Sequence, residues 1–284
     1  MSASALRVVV KFGGEVVARP AELSGLLAEV AKVRRDGAAV VLCHGGGPQA
    51  SALQQRLGVE TVKVGGRRIT DAATLQIMKC VLAGEVSIDV VAAALAAGVP
   101  AVGLSGVSAG LVTAHRRPPK RVSGGGEAPV DFGLVGDIDT IRTELLEQLW
   151  RGGFVPVVNS LGVAAQAEPG QPCAVFNINA DTVAAAVAAA LRADHLLLVT
   201  DVPGVLRDRE DPSSVIPTLT RSAARQAIAD GIIAGGMIPK VEEALDNLAQ
   251  GIGAVHILGA GALHDAVRSP GARGTVLVED GGHP

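Results

Sequence analysis

The stretch RVVVKFGGEVV, residues 7–17, places a lysine and two glycines directly after a run of valines. The valines predict a buried strand that ends with Lys11 and Phe12. A lysine at the end of a buried strand is costly unless a negative group meets it. Glycines 13–14 would let backbone N–H groups approach such a group closely. We therefore expect an anion site at this strand end, and a salt bridge from Lys11 to a carboxylate is the simpler alternative.

The next strand repeats this arrangement. Apolar residues at helical spacing between Leu23 and Val33 predict a helix that stops at Gly37, and the apolar stretch 38–45 then leads into the glycines 45–47. Strand, helix and apolar strand form a βαβ unit, which implies a parallel sheet with helices on both faces. Ligands bind at the carboxyl ends of such strands. Each glycine loop alone could be a tight turn, but two loops on neighbouring strands favour an anion site.

The middle of the chain has a different pattern. Residues 110–139 alternate in polarity and contain turn clusters such as SGGGEAP, which predicts one or more β-hairpins inserted into the α/β core. Regular α/β alternation returns after Asp181. We therefore expect two lobes that meet near 192–194, with an N-lobe at 1–193 and a C-lobe at 194–284.

Composition excludes several classes of function. The net charge of −3, the absence of a long basic run and 2% aromatic residues argue against a nucleic-acid partner. The longest apolar stretch, 183–191, is too short to cross a bilayer. Cys43, Cys80 and Cys173 match no zinc or disulfide spacing, so we expect reduced thiols and a cytoplasmic protein.

Four further motifs carry groups that could bind anions. In NINAD, 177–181, one residue can cap the following helix, but Asn177 could also contact a ligand while Asp181 positions lysines. GGMIPK puts Lys240 near a helix start, where a cation opposes the helix dipole unless an anion binds there. In GGRRIT, an arginine beside a glycine loop could grip a carboxylate with two bonds. TDVPGVL, 200–206, could line a nucleotide pocket or form a plain turn.

Taken in order, these motifs make the chain resemble the acetylglutamate kinases of the amino acid kinase superfamily, from Val8 to about Val278. The matching segments are KFGG (11–14), HGGG (44–47), RRIT (67–70), GLSG (103–106), VDFGLVGDI (130–138), NINADTVAAAVAAAL (177–191), TDVPGVL (200–206) and DGIIAGGMIPK (230–240). KFGG alone is shared across the superfamily, whereas the ordered set is specific. The resemblance implies an α/β fold, a three-layer αβα sandwich with a mainly parallel central sheet and β-hairpin insertions in the N-lobe. The N-lobe would bind the amino acid and the C-lobe ATP.

The resemblance also implies roles for individual residues. Lys11 and Lys240 would be the catalytic lysines of the transition state, and Asp181 would hold both in place. Gly14 would contact the moving phosphoryl group. The substrate would be bound by the amides of Gly46 and Gly47 and, at its α-carboxylate, by Arg68 and Asn177. The residues expected at the nucleotide are Asp201, Val202, Pro203, Gly204, Val205, Leu206, Ile232, Ile233 and Ala234.

The implied reaction transfers the γ-phosphoryl group of ATP to the side-chain carboxylate of N-acetyl-L-glutamate, the second step of the acetylated route to ornithine and arginine. Such a transfer needs positioning and charge neutralisation rather than covalent help. The attacking carboxylate is already ionised at neutral pH, so no general base is expected. Mg²⁺ would be held through the ATP phosphates, so no set of metal-binding side chains is expected.

Other readings of the same residues stay open at this point. A related kinase acts on aminoadipate or glutamate borne on a carrier protein and would need a basic face for an acidic carrier. A catalytically inactive amino-acid or nucleotide sensor of this fold would have lost Lys11, Asp181 or Lys240, and all three are present. A Rossmann-type dehydrogenase would need GxGxxG, which the chain lacks.

The resemblance further suggests a homodimer formed through the N-lobe. We expect the contact on the helix that Thr70 would cap and that carries Ile77, Met78 and Val81, although these could be ordinary core residues. Arginine-inhibited hexamers of the resembled family carry an extra N-terminal helix. Residues 1–6 would span roughly 9 Å as a helix, too short to link dimers, so we expect no inhibition by arginine.

Overall fold

A computed structural model describes residues 5–121 and 128–282 of the chain. The strands are β1 (Arg7–Phe12), β2 (Ala39–His44), β3 (Lys63–Val64), β4 (Arg67–Arg68), β5 (Ala101–Leu104), β6 (Val112–Arg116), β7 (Gly136–Ile141), β8 (Val155–Asn159), β9 (Leu161–Val163), β10 (Val175–Asn177), β11 (His195–Val199), β12 (Thr218–Thr220), β13 (Ala254–Leu258) and β14 (Thr275–Val278). The helices are α1 (Gly14–Val17), α2 (Pro20–Arg35), α3 (Gly47–Arg56), α4 (Ala72–Lys79), α5 (Ser87–Ala96), α6 (Glu144–Arg151), α7 (Ala180–Leu191), α8 (Arg221–Ala229), α9 (Met237–Ala249) and α10 (Leu263–Arg268). A π-helix, Cys80–Val86, joins α4 to α5, and short 3₁₀ turns lie at Ser108–Gly110 and Ala260–Ala262.

One eight-stranded sheet forms the centre of the molecule, in the order β12-β14-β13-β11-β1-β2-β8-β5. Every neighbouring pair is parallel except β13 and β14. The pairing of Phe12 with His44 aligns the carboxyl ends of β1 and β2. The two glycine loops therefore leave the sheet side by side, and the parallel sheet expected from the sequence is confirmed.

Helices cover both faces of this sheet. Successive side chains of a strand point to opposite faces, so Val8, Val10 and Phe12 pack in one core with α2, while Val9 packs in the other core with α7. Lys11 shares the second face and therefore points toward the start of α7. The three-layer α/β architecture expected from the sequence is thus the one observed.

The smaller sheets are insertions on this frame. Strands β6 and β7 form an antiparallel pair within a four-stranded sheet of order β10-β9-β6-β7, which confirms the expected hairpin insertion. The glycine cluster of SGGGEAP, residues 124–126, lies outside the described residues. A second hairpin, β3–β4, was not expected from the sequence. Gly65 and Gly66 both have positive φ, at 55° and 76°, as a two-residue hairpin turn of type I′ requires.

Two expectations for the helix after Thr70 are wrong. The capping residue of α4 is Asp71, whose carboxylate accepts a hydrogen bond from the Thr74 backbone N–H at 2.7 Å. Thr70 is instead buried and accepts a hydrogen bond from the Asn177 side chain. The apolar residues proposed for a dimer contact, Ile77, Met78 and Val81, are buried in the chain's own core. Their spacing marks an inward face, because apolar side chains at helical spacing pack first against the nearest layer of the fold.

The boundary expected near residue 193 lies in the connection between α7 and β11, and the central sheet runs through it without interruption. The division into an N-lobe and a C-lobe therefore stays a prediction. Among the described residues, none of the helices has both the length and the apolar character needed to cross a membrane.

Candidate active site

The two glycine loops touch each other above the ends of β1 and β2. A Cβ atom added at Gly14 would lie 2.9 Å from Cδ of Pro48 and 3.0 Å from Cα of Gly46, and would also collide with Oε1 of Gln49. The Gln49 amide donates to the Gly14 carbonyl at 2.8 Å and ties the loops together. Only glycine at position 14 allows this approach, because any side chain would force the backbones apart.

Lys11 meets a negative group, as its position at a strand end requires. Its Nζ lies 2.6 Å from Oδ1 of Asp181, and both side chains are partly accessible, at 15% and 30%. Asp181 lies in the first turn of α7, where a negative charge complements the helix dipole. Asn179 occupies the capping position of α7 without a side-chain capping bond. The salt bridge considered as the simpler alternative for Lys11 is therefore present, and both of its side chains line a cavity.

Lys240 lies across the same cavity, in the first turn of α9. Its Nζ donates to Oγ1 of Thr200 at 2.9 Å, and Thr200 in turn donates to Oδ1 of Asp201 at 2.9 Å. The hydrogen bond from Thr200 is the largest influence on the Asp201 carboxyl and lowers its pKa. Asp181 thus contacts Lys11 directly, whereas Lys240 is oriented by Thr200.

We call the space between these two lysines the lysine cavity. Its volume is about 480 Å³, and its polar lining comes from both halves of the central sheet: Lys11, Glu15, Arg19, Asp181, Thr200, Asp201, Lys240 and Glu243. Asp201 is the one member of the expected nucleotide set in this lining.

The other residues expected at the nucleotide lie in the two loops nearby. Val205 and Ile233 are fully buried in the core on the α7 face, so their side chains hold the loops rather than face a ligand. Gly204 packs closely against Thr275. Pro203 is exposed, and the remaining members are half-buried: Val202, Leu206, Ile232 and Ala234.

A second space, the arginine cavity, is lined by Ala180 and Thr182, the neighbours of Asp181 in the chain. Its volume is about 700 Å³, and its lining includes the expected substrate residues Gly46, Gly47, Arg68 and Asn177. Five cationic side chains line it in all: Lys63, Arg67, Arg68, Arg117 and Lys120. Three acidic residues of α9 face them: Glu242, Glu243 and Asp246.

Arg68 is held in a fixed orientation against α3. Its guanidinium donates to the side chains of Gln54 and Ser51 and, at 3.1 Å, to the Gly47 carbonyl. Burial lowers the pKa of Arg68 from its ordinary value, and the group is half-buried. Its neighbour Arg67 is exposed. The hairpin β3–β4 therefore delivers one preorganised and one solvated guanidinium to the cavity.

Asn177 is fixed from both sides. Its Nδ2 donates to Oγ1 of Thr70 at 3.1 Å, and its backbone N–H donates to the Leu134 carbonyl at 3.0 Å. The side chain is buried and lines the arginine cavity beside Ile178. The end of β10 is thus locked to the segment that precedes α4.

Sequence reasoning missed several residues of these cavities. Lys63, Arg117 and Lys120 lie far from the glycine loops in sequence and carry no motif, so only the folding of the hairpins over the sheet brings them there. The position of Glu243 could have been predicted from the sequence, because it follows Lys240 by three residues and therefore shares a helix face with it.

Within residues 5–121 and 128–282, no group of three or more His, Cys, Asp or Glu side chains is arranged to hold a metal ion. His44, in the HGGG segment, is buried, and this burial lowers its pKa to about 4, so the ring is neutral at physiological pH. The lysine and arginine side chains and the glycine loops that line the two cavities can neutralise negative charge. Such a set of donors suits the meeting of two anions.

Comparison with known proteins agrees with this chemistry. The profile of the amino acid kinase family matches residues 6–259. An acetylglutamate kinase of Anaeromyxobacter dehalogenans is 51% identical over 274 residues, which cover 95% of this chain and 98% of the relative. An acetylglutamate kinase of Sorangium cellulosum is 48% identical over 274 residues, covering 95% and 94%. Among solved structures, the protein smu.665 of Streptococcus mutans aligns with a TM-score of 0.74 at 29% identity and covers 96% of this chain and 99% of its own.

Proposed function

The chain belongs to the amino acid kinase family, and from that premise we propose that it phosphorylates the side-chain carboxylate of N-acetyl-L-glutamate. The reaction consumes ATP and gives ADP and an acyl phosphate, in the biosynthesis of arginine and ornithine. Relatives named acetylglutamate kinase that are about half identical over nearly the whole chain support this assignment.

The observation that carries the proposal is the junction of the two cavities. The cavity between the two lysines shares Glu243 with the cavity lined by five cationic side chains. Lys11, Gly13 and Asp181 line the first cavity, and the glycines 45–47 line the second. Phosphoryl transfer to a carboxylate must bring two anions together, which costs repulsion. Cations and backbone N–H groups aimed at the meeting point offset that cost more in the transition state than in the separate complexes.

In this proposal the acceptor lies in the arginine cavity. Arg68 and Asn177 fix the α-carboxylate, and the amides of Gly46 and Gly47 contact the acceptor near the reacting end. The fixed guanidinium of Arg68 supports this role, because a preorganised donor loses little entropy when it binds a carboxylate.

The phosphates of ATP lie in the lysine cavity, and the nucleoside follows the loops 201–206 and 232–234. Lys11 and Lys240 neutralise charge on the phosphoryl group during transfer, Gly14 gives it a close approach, and Asp181 orients Lys11. Mg²⁺, when bound through the phosphates, neutralises further charge there. Asp201 and Glu15, which line the lysine cavity, fit such an ion because they can accept hydrogen bonds from its water shell. The attacking carboxylate is ionised, so the reaction needs no side chain to remove a proton.

A homodimer is part of the proposal. The dimer would form through α5, which packs against the edge strand β5 and leaves Ile88 and Leu95 exposed at 65% and 57%. Residues 88 and 95 lie seven positions apart and therefore share one helix face. A cytoplasmic location stays a prediction from the cysteine pattern.

A coupled assay of ADP release tests the reaction, with N-acetyl-L-glutamate, glutamate and aspartate compared as acceptors. We expect release with the acetylated acceptor alone, and hydroxylamine should trap the acyl phosphate as a coloured hydroxamate. Background release with N-acetyl-L-glutamate together with clear release with another amino acid would refute the proposal.

The substitution Arg68→Lys tests the acceptor site. A lysine cannot reach the partners of the guanidinium and also bind a carboxylate with two bonds, so we expect the KM for N-acetyl-L-glutamate to rise by about 10- to 100-fold. The KM for ATP should stay within about twofold. Arg67→Lys is the matched control, since its exposed guanidinium predicts a smaller effect. A larger effect at position 67 than at position 68 would assign the binding of the α-carboxylate to Arg67 instead of Arg68.

A further inference from the structure

Glu243 occupies the boundary between the two cavities. It lies on α9, three residues after Lys240, and among the described residues it is the only side chain that lines both the lysine cavity and the arginine cavity. No hydrogen bond or ion pair to its carboxyl group is formed by any other residue of the described ranges. The proposed reaction has no role for it so far, although it borders the place where the two substrates meet.

The charges around Glu243 come from both cavities. Those on the elements next to it are Lys11 on β1, Arg67 on β4, Asp181 on α7, and Lys240, Glu242 and Asp246 on α9. The lysine cavity also carries Glu15, Arg19 and Asp201, and the arginine cavity also carries Lys63, Arg68, Arg117 and Lys120. Burial is the largest influence and raises the pKa of Glu243 to about 7, followed by the negative charge of Asp181, while Lys11 and Arg67 act in the opposite direction. With its pKa raised into this range, the carboxyl group can change its protonation state near neutral pH.

Two anionic substrates shift the protonation equilibrium of Glu243 toward its neutral form. The transferring phosphoryl group and the acceptor carboxylate both bring negative charge to the shared boundary. Like charges at short range favour the neutral form of a carboxyl group. A protonated carboxyl group also gains an O–H donor that can serve an anion, whereas the ionised form can only accept hydrogen bonds.

We propose that Glu243 takes up one proton from solvent when the nucleotide and the acceptor meet beside it, and that its neutral carboxyl group then donates a hydrogen bond to the converging anions. The proton returns to solvent when the products leave, so the overall reaction is unchanged. Glu243 is then a functional residue whose ionised form opposes assembly of the reactive complex. This inference rests on the proposed function and adds to it a coupling between substrate binding and protonation.

The coupling predicts the pH profile of kcat/KM for the acceptor. If only the protonated enzyme assembles the complex, kcat/KM falls tenfold for each pH unit above the pKa of Glu243. With a pKa of about 7, the loss between pH 7 and pH 8.5 is about 16-fold. In Glu243→Gln the amide keeps a donor and cannot ionise, so its kcat/KM should change by less than about threefold over this range. The substrates ionise identically with both enzymes, so the difference between the profiles reports on position 243.

Two further variants separate this role from a structural one. Glu243→Asp keeps a titrating carboxyl group and should keep the fall above neutral pH. Glu242→Gln removes a neighbouring carboxyl group that lines the arginine cavity alone, and it should also keep that fall. Thermal melting of each variant checks that it is folded.

The decisive outcomes are distinct. The same fall in Glu243→Gln as in the wild type, or a flat wild-type profile between pH 6 and pH 8.5, would overturn the inference. Calorimetry of the joint binding of N-acetyl-L-glutamate and a non-hydrolysable Mg²⁺–ATP analogue, in buffers of different ionisation enthalpy, gives a second readout. The wild type should take up protons at pH 8, and Glu243→Gln should take up fewer. Proton uptake without ADP release from any acceptor would uphold the coupling and refute the proposed function, so the two failures can be told apart.

Discussion

Replacing Gly14 by alanine should separate the two glycine loops and slow the reaction. The added methyl group would lie 3.0 Å from Cα of Gly46 and 2.9 Å from Cδ of Pro48, and would collide with the Gln49 amide. Ordinary contact begins near 3.4 Å, so the loops must move apart by at least about 0.4 Å. Overpacking of this kind costs about 1–3 kcal/mol, which corresponds to a fall in Tm of about 2–5 °C for a chain of this length. A shift of about 1 Å in a reacting group can cost about 100-fold in rate, so we expect kcat to fall by about 10- to 100-fold.

The assay is steady-state ADP release together with thermal melting. Gly25→Ala is the matched control, because position 25 lies in α2 with no atom within 4 Å of the added carbon. The same chemical change there should stabilise the protein by about 1 kcal/mol, since alanine is the better helix former, and should leave kcat unaltered. A Gly14→Ala enzyme with wild-type kcat and wild-type Tm would refute the close approach of the loops and their part in the reaction.

Three further perturbations test other parts of the structure. Lys11→Ala and Lys240→Ala should lower kcat by about 100- to 1,000-fold with a smaller change in KM, and near-normal turnover in steady-state kinetics would reduce that lysine to a structural partner. Burial lowers the pKa of His256 to about 3, below its ordinary value near 6.5. The contribution of neutral His256 to the free energy of unfolding should therefore be fully present above pH 6.5 and should decrease by up to about 1.4 kcal/mol per pH unit as the pH falls toward 3. Equal stability in urea titrations at pH 7 and pH 5 would contradict this prediction. Ile88→Glu should convert a dimer to a monomer in light scattering. Leu57→Glu should leave the dimer intact, because it changes an apolar site of similar accessibility at the end of another helix. If both variants were dimers, or both were monomers, the α5 face would be excluded as the dimer contact.

The sequence by itself determined the fold class and part of the active site. Valine runs that end in Gly-Gly leave few possibilities other than buried parallel strands with loops at their carboxyl ends, because such strands must be apolar on both sides and only glycine lets a backbone approach closely there. The neighbouring positions of Lys11 and Gly14 follow directly from this pattern. The same local logic failed at the start of α4, where Thr70 and Asp71 are both good capping residues. Asp71 caps the helix, whereas the Thr70 hydroxyl accepts a hydrogen bond from the distant Asn177.

Only the tertiary structure decided which distant groups share a space. Helical spacing could not show whether Ile77 and Met78 are buried in the core that contains α2 or lie in a dimer contact. Either arrangement requires the same stripe of apolar side chains on the helix. Lys63 and Lys120 reach the arginine cavity only because two hairpins fold over the sheet. The pKa of Glu243 likewise depends on burial and on a carboxylate 62 positions earlier in the chain, at Asp181. Local patterns fix what each segment becomes, whereas the electrostatics of a site depend on distances in space that only packing of the whole chain sets.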